Sequence, residues 1–273
     1  MSKTEGILRI GPAGWAYDDW KGTVYPADMP RSLHPLTFLC ERFDTVEINV
    51  SFYRPITANM SKSWIEKTAG NPNFVFAAKL WERYTHQRSA FPSDHETATF
   101  KAGLEPLHAA DKLGALLAQF PWSFRRTTDN RKHLARIIET YTEYPIALEL
   151  RHDSWLNDAV YDGLRKRNVA FCNIDQPIFD RSIAPTEIVT ADIAYVRLHG
   201  RNREAWFRED ATRDERYDYK YSTDELQPWV DKIRHMRERA KQVYVVTNNH
   251  FRGQAVENAI ELQQMLAKEP RTM

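Results

Sequence analysis

The chain has 273 residues, of which 42% are hydrophobic and 12% are aromatic, so it can bury a large core. Its 38 basic residues nearly balance its 37 acidic residues, which argues against the overall basic field typical of nucleic-acid and membrane-surface proteins. Cys40 and Cys172 have no metal-binding spacing and no apolar run reaches the ~18 residues of a membrane span, so we expect a soluble cytoplasmic protein without a membrane partner.

Eight short runs rich in apolar and β-branched residues recur along the chain. They cover residues 7–11, 45–53, 74–81, 113–122, 146–152, 169–175, 193–200 and 243–249. Most gaps show helical periodicity, as in residues 130–144, but the gap between the sixth and seventh runs is short, contains proline and is only weakly helical.

Eight strands that alternate with helices over roughly 250 residues predict a (β/α)8 TIM barrel, an α/β fold. We expect one domain over residues 1–273, with its core at about 7–266. An open doubly wound sheet is the rival fold. That fold usually has fewer strands and often a Gly-rich first turn, and "GPAGW" at 11–15 does not match its G-x-G-x-x-G fingerprint.

Polar side chains recur near the carboxyl ends of the predicted strands. In "ALELRHDSW" (147–155), side chains alternate between the two faces of the strand, so Glu149 and Arg151 share a face opposite Leu148 and Leu150. Other strands repeat this pattern at Glu47, Asn49, Lys79, Gln119, Asn173, Asp175, Tyr195, Arg197, His199 and Asn248. A barrel brings these strand ends together at one mouth, where enzymes of this fold place their chemistry.

The fixed charges in this set leave a positive surplus, because Glu47 and Glu149 face Lys79, Arg151 and Arg197. A water-poor, positive mouth suits a phosphate or carboxylate, which guanidinium groups bind through both oxygens. We therefore predict an anionic small-molecule ligand. The alternative is a structural network in which the acids and bases pair only with each other.

The predicted substrate-binding residues are Lys79, Arg151, Arg197, Asn248, Asn49, Trp15, His86 and Gly253. Gly253 precedes a helix whose N-terminus is a candidate anion site, with an ordinary loop as the alternative. His86 and Arg88 lie in a long loop, 83–96, that follows the third strand. Trp15 belongs to an aromatic group after the first strand that either stacks on a base or sugar or packs in the core. The other members of that group are Tyr17, Trp20 and Tyr25.

The predicted catalytic residues are Glu47, Glu149 and His199, because carboxylates and an imidazole carry protons near neutral pH. With His152 and Asp175 they also form a candidate divalent-metal site, although no H-E-x-x-H spacing supports it and no metal ligand is assigned. The cofactor is otherwise unknown.

Two further features of the predicted mouth concern Lys79 and the long segment after the seventh strand. Lys79 is a candidate Schiff-base lysine, with charge pairing as the preferred interpretation. Residues 201–222 carry six basic and six acidic residues with interleaved aromatics, and we interpret them as a lid or, alternatively, a solvated loop.

An ordered set of short motifs runs along the chain. It comprises Gly14-Trp15, Tyr17, Trp20, Gly22, Tyr25-Pro26, Val46-Glu47-Ile48-Asn49, Phe52-Tyr53, Lys79, Thr85-His86, Gln119-Phe120-Pro121, Ser123-Phe124, Glu149-Leu150-Arg151-His152, Ser154-Trp155, Asp175, Pro177, Tyr195-Val196-Arg197-Leu198-His199-Gly200, Asn248-Asn249, Gly253, Ala255 and Asn258-Ala259. Over about residues 7–266 this set resembles the YecE-like family of uncharacterised TIM-barrel proteins, which implies the barrel and no settled activity. Ala13 and Trp122 depart from the family pattern, which usually has a small hydroxyl residue and a second proline there.

Three functions fit these observations. The first is an enzyme, a hydrolase, lyase or isomerase, that acts on a phosphorylated or carboxylated small molecule. The second is a metal-dependent nucleic-acid phosphodiesterase, which rests on fold analogy and is not indicated by the net charge. The third is a noncatalytic protein that binds an anionic ligand in an old enzyme pocket.

Overall fold

The structure is a computed structural model that describes residues 5–30 and 32–268 and contains eight parallel strands. The strands are β1 (Ile7–Pro12), β2 (Thr45–Ile48), β3 (Val75–Lys79), β4 (Leu113–Gln119), β5 (Ile146–Glu149), β6 (Ala170–Asp175), β7 (Ile193–Leu198) and β8 (Gln242–Thr247). Each strand begins within two residues of the first residue of a predicted run. The predicted domain limits, 1–273, stay a prediction, because residues 1–4 and 269–273 lie outside the described residues.

Neighbouring strands pair in parallel in the order β1-β8-β7-β6-β5-β4-β3-β2. The sheet closes where Ala13 and Glu47 form a parallel bridge and the Gly14 amide donates to the Glu47 carbonyl oxygen at 2.9 Å. The predicted (β/α)8 barrel is therefore confirmed, and the rival open sheet is wrong.

Helices fill most of the connections between strands. They are α1 (Pro35–Cys40), α2 (Val50–Tyr53), α3 (Ala58–Lys67), α4 (Glu82–Thr85), α5 (Asp94–Ala109), α6 (Thr128–Thr140), α7 (Asp158–Arg165), α8 (Arg203–Phe207), α9 (Arg213–Arg216), α10 (Thr223–Arg237) and α11 (Gln254–Ala267). Several begin at a side-chain cap: the Ser93 hydroxyl accepts from the Glu96 amide at 3.3 Å, for example, and satisfies a donor that the helix leaves open. The connection between β6 and β7, residues 176–192, has no helix, and all of it is described.

The second strand is shorter than predicted. Residues 45–53 read as one strand, but β2 ends at Ile48 and the chain turns into α2. The Ser51 hydroxyl donates to the Ile48 carbonyl oxygen at 3.0 Å and accepts from the Lys79 amide at 3.1 Å. This turn ties β2 to β3 and leaves Asn49 at the mouth of the barrel.

The core lies inside the barrel and between the barrel and its helices. Trp20, Trp155 and Trp229 are among the largest fully buried side chains, and both cysteines are buried and free. Among the described helices, none has the length and apolar character needed to cross a bilayer. The cytoplasmic location stays a prediction.

Two helical glycines have opposite surroundings. A Cβ atom on Gly103 in α5 would lie 2.0 Å from the Ile56 carbonyl oxygen, whereas a Cβ atom on Gly163 in α7 would meet nothing within 4 Å. The Ser61 hydroxyl also donates to the Gly103 carbonyl oxygen at 2.6 Å, so the backbone of α5 is held against the start of α3.

We expect Gly103→Ala to lower the free energy of unfolding by about 2–3 kcal/mol, because an added methyl group overpacks this contact. Gly163→Ala is the matched control and should raise it by about 0.5–1 kcal/mol, because alanine is the better helix former in open space. Urea unfolding of the three proteins measures both values. Equal effects at the two positions would contradict the packing of α5.

Candidate functional site

The guanidinium group of Arg197 on β7 joins two carboxylates inside the barrel. Its NH2 donates to Glu47 Oε1 at 2.8 Å, and its NH1 donates to Glu149 Oε2. The Tyr195 hydroxyl donates to Glu47 Oε2 at 3.0 Å. The side chains of Glu47, Glu149 and Arg197 are 0% exposed, so these acids and this base pair with each other in the barrel interior.

Arg151 and His199 complete this network around Glu149. Arg151 donates to Glu149 Oε1 from Nε at 2.7 Å, and its side chain is 12% exposed. His199 Nε2 lies 3.2 Å from the same oxygen, and the Asn248 side-chain amide lies 3.0 Å from His199 Nδ1. This arrangement assigns the ring proton to Nε2, which donates to Glu149, while Nδ1 accepts from Asn248.

The protonation states follow from these contacts. Burial alone raises the pKa of the Glu149 carboxyl, but Arg197, Arg151 and His199 together hold that pKa well below its ordinary value. Burial lowers the pKa of His199 to about 3, against the opposing effect of Glu149. At neutral pH Glu149 is therefore an anion and His199 is a neutral imidazole.

A cavity of about 540 Å³ opens at the carboxyl ends of the strands, next to the network. It is lined by Gly14, Trp15, Ala16, Tyr17, Asn49, Val50, Phe52, Tyr53, Trp64, Lys79, Glu82, His86, Gln119, Tyr217, Asn248 and His250, which we call the mouth pocket. Gln119 and Asn248 belong to both regions, because Gln119 Oε1 accepts from Arg197 at 3.2 Å and Asn248 contacts His199.

The predicted site residues divide between these two regions. Trp15, Asn49, Lys79, His86 and Asn248 line the mouth pocket, and five others form the buried network beside it. Those five are Glu47, Glu149, Arg151, Arg197 and His199. Gly253 belongs to neither region: its amide donates to the His250 carbonyl oxygen at 3.1 Å, and a Cβ atom added to it would lie 2.6 Å from the Val24 side chain. The functional roles of all eleven residues stay predictions.

Lys79 differs from the other cations of the site. No carboxylate of the described chain lies within 4.0 Å of its ammonium group, which sits 4.8 Å from the centre of the Phe52 ring. The structure therefore does not show the charge pairing that was the preferred interpretation of Lys79. The reason is that Arg197 and Arg151 already pair with the two carboxylates, Glu47 and Glu149. Burial, followed by Arg197, lowers the pKa of Lys79 to about 8.

Amide groups around the mouth pocket retain hydrogen-bonding capacity. Asn49 donates to the Tyr17 hydroxyl at 3.1 Å, while its buried Oδ1 has no partner among the described residues. Gln119 accepts from Arg197, and no partner is described for its amide nitrogen. The Gln119 amide nitrogen is thus a donor available to a ligand, whereas Asn49 Oδ1 is a buried acceptor without a partner among the described residues.

The first loop separates into two groups of aromatic residues. Trp15 and Tyr17 line the mouth pocket, whereas Trp20 and Tyr25 are buried in the core. Core packing therefore holds for Trp20 and Tyr25, and stacking of Trp15 and Tyr17 on a base or sugar stays a prediction. In the loop after β3, His86 lines the pocket, and burial, Arg151 and Lys79 lower its pKa to about 4.

Residues 201–222 fold across the barrel mouth. Arg201 donates to Asp175 from Nε at 2.8 Å and from NH2 at 2.7 Å, and the Tyr221 hydroxyl donates to the same carboxylate at 3.0 Å. Between these anchors, the Trp206 ring lies 5.7 Å from the Arg151 guanidinium carbon and 6.3 Å from the His199 ring. The lid interpretation stays a prediction, and the structure has the segment packed over the network.

Several pocket residues were not predicted from the sequence. Phe52, Trp64, Tyr217 and His250 lie on a short helix, an outer helix and two loops, outside the strand-end pattern. His250 stacks on Tyr17 at 4.5 Å and lies 3.1 Å from Asp214. The sequence feature that could have identified His250 as a pocket residue is its position three residues after the last strand.

The candidate metal site does not form. The Asp175 carboxylate accepts hydrogen bonds from Arg201, Tyr221 and Trp229. The bond from the Trp229 indole nitrogen is 2.7 Å long. His152 Nδ1 pairs with the Ser154 hydroxyl at 2.9 Å. Across residues 5–30 and 32–268, no group of three or more His, Cys, Asp or Glu side chains is placed to hold a metal ion. The phosphodiesterase hypothesis therefore lacks its metal ligands in this part of the chain.

Comparisons with known proteins identify the family. The family described as "Protein of unknown function DUF72" matches residues 9–273, and the chain belongs to it. The UPF0759 protein YunF of Bacillus subtilis is 29% identical over 273 residues, which is 95% of each chain. The uncharacterised family inferred from the motifs is thus supported, while the name YecE-like stays a prediction.

Solved structures agree with the fold. A DUF72 family protein from Thermotoga maritima is 33% identical, with a TM-score of 0.85 over 96% of this chain and 100% of that chain. A DUF72 family protein from Enterococcus faecalis is 24% identical, with a TM-score of 0.84 over 98% of this chain and 100% of that chain. The similarity to the Thermotoga maritima protein supports the family, and both similarities support the barrel. Neither indicates a substrate.

We expect Glu149→Gln to lower the free energy of unfolding by about 3–5 kcal/mol at neutral pH, because Arg197 and Arg151 lose the carboxylate that they share and only Glu47 remains to balance two guanidinium charges. The lowered pKa of Glu149 contributes stability above its unfolded value of 4.5, and this contribution is lost as pH falls through the folded pKa. The difference between the two proteins should therefore shrink in acid.

Urea unfolding near pH 7 and near pH 4 measures this difference. Glu66→Gln, at an exposed position on α3, is the matched control and should change stability little at either pH. A constant difference between wild type and Glu149→Gln across this range would contradict an ionised Glu149 in the folded protein.

Proposed function

We propose that this DUF72 family protein is an enzyme that acts on a small molecule carrying a phosphate or carboxylate, bound in the mouth pocket. The observation that carries the proposal is Lys79, which borders the pocket without a carboxylate at ion-pair distance in the described chain. The family and the fold are compatible with this function and do not specify it.

Charge balance supports an anionic ligand. Glu47 and Glu149 together carry two negative charges, and Arg197 and Arg151 match them with two positive charges inside the network. Lys79 is the surplus cation of this group. A partly buried cation without a partner favours a bound counter-ion, because the low dielectric of a pocket strengthens the attraction.

The size and lining of the pocket support a small organic ligand rather than a free ion. A volume of about 540 Å³ lies in the range of small-molecule sites. Trp15, Phe52 and Trp64 offer apolar contact surface, while the Gln119 amide nitrogen offers a hydrogen-bond donor. The ligand therefore combines an anionic group with an apolar or polyhydroxylated body.

The predicted binding and catalytic residues have different access to such a ligand. Lys79 and His86 border the pocket directly. Glu47, Glu149 and His199 lie in the network, so their proposed proton-transfer roles require Trp206 and the rest of residues 201–222 to move. In the packed state Arg197 holds Gln119 and His199 holds Asn248, and the charges of the network set the electric field at Lys79.

We expect Lys79→Met to weaken binding of the anionic ligand by about 10- to 100-fold, because a charge-assisted contact is lost. Isothermal titration with a panel of small phosphorylated and carboxylated metabolites measures this change. Lys132→Met removes the same charge from an exposed position on α6 and should leave binding unchanged.

Mass spectrometry of the bound metabolite after incubation tests catalysis. Conversion of the metabolite supports the enzyme, and recovery of an unchanged ligand would favour the noncatalytic binding protein. Equal affinities of wild type and Lys79→Met for every metabolite that binds would remove Lys79 from the proposal.

A further inference from the structure

We propose that Lys79 forms an imine with a small substrate that carries a carbonyl group beside its carboxylate or phosphate. This inference rests on the proposed function and specifies its substrate class and chemistry. Lys79 ends β3 and lines the mouth pocket, and its ammonium group lies 4.8 Å from the centre of the Phe52 ring. The amine is therefore accessible to a ligand and is not held by a carboxylate of the described chain.

The charged groups around Lys79 favour its neutral, nucleophilic form. Burial has the largest effect, and Arg197 on β7 and Arg151 after β5 add positive charge, while Glu47 on β2 and Glu149 on β5 oppose them. The net result lowers the pKa of Lys79 from 10.5 to about 8. Two titratable groups face Lys79 from the mouth side. His86 adds no charge, because its pKa is lowered to about 4 and its imidazole is neutral. The Glu82 carboxylate accepts a hydrogen bond from Gln87 at 2.8 Å.

The proposed step balances without a further reactant. The amine lone pair attacks the carbonyl carbon, and a proton moves from nitrogen to oxygen to give a carbinolamine. The hydroxyl group then leaves with one proton as water, and the C=N bond forms. Starting from the ammonium form, lysine and carbonyl give a protonated imine and water, so one positive charge is present before and after.

The positive charge that is kept when the imine forms also holds the anionic group of the substrate. The positive surplus that attracts the carboxylate or phosphate remains on the imine nitrogen, so the covalent complex keeps the attraction of the first encounter. His86 borders the same pocket as a neutral imidazole and is placed to carry the proton between nitrogen and oxygen. The protonated imine withdraws electrons from the neighbouring carbon, which favours lyase or isomerase chemistry over hydrolysis.

Reductive trapping tests the inference on the unmodified protein. We incubate it with glyoxylate, a carbonyl compound with a carboxylate, and sodium cyanoborohydride near neutral pH, and we map carboxymethylated lysines by peptide mass spectrometry. Lys79 should react at least ~10-fold faster than the exposed Lys62 and Lys132 of the same molecules, because a much larger fraction of its amine is neutral. Above about pH 10 this advantage should disappear.

The controls separate this inference from the proposed function. Lys79→Arg keeps a cation and should lose the fast modification while the other lysines react as before. Glycolate has the carboxylate without the carbonyl, and it should protect Lys79 by competition. If glycolate binds but Lys79 reacts no faster than Lys132, the imine is excluded and the anion pocket stands.

If Lys79 is modified rapidly but glycolate and inorganic phosphate give no protection, the amine is reactive and the anionic substrate is excluded. Slow modification of Lys79 in wild type overturns the inference whatever the variants do. Trapping of wild type alone decides this point, so a loss of stability in Lys79→Arg does not affect the result.

Discussion

The ion pairs between Arg197 and the two buried carboxylates are the interaction on which the site depends. Arg197 is on β7, Glu47 on β2 and Glu149 on β5, so one guanidinium group joins three strands that are not neighbours in the sheet. Desolvation makes such a buried network a weak source of stability. Its clearest consequence is geometric: the network fixes where the positive and negative charges of the barrel interior lie.

This arrangement separates the charges that are satisfied from the one that is available. Both carboxylates are used by Arg197 and Arg151, and the neighbouring Lys79 faces the mouth pocket without one at ion-pair distance in the described chain. The same arginines that satisfy the acids also lower the pKa of Lys79, because their charges lie close to its amine. The proposed anion site and the proposed reactive amine therefore have a common origin in the network.

The strand-end pattern predicted the barrel and the inward position of the charged residues, because alternation along a strand decides which face a side chain occupies. It did not predict which charges pair, since pairing across a barrel depends on strand stagger and side-chain length. Val50–Tyr53 has an apolar pattern that fits a strand or a helix, so the end of β2 was predicted too late. Trp64 and Tyr217 come from a helix and a loop, where no strand periodicity marks a pocket wall.

Residues 201–222 cover the network and keep water away from it. Asp175 anchors this segment through Arg201 and Tyr221, and Trp206 covers Arg151. Removal of water from charged groups strengthens every interaction among them and also lowers the basicity of a nearby amine. If this segment opens as the lid interpretation expects, water would reach Arg151 and Glu149 and the pKa of Lys79 would rise toward its ordinary value, so the proposed chemistry of Lys79 depends on the contacts of residues 201–222.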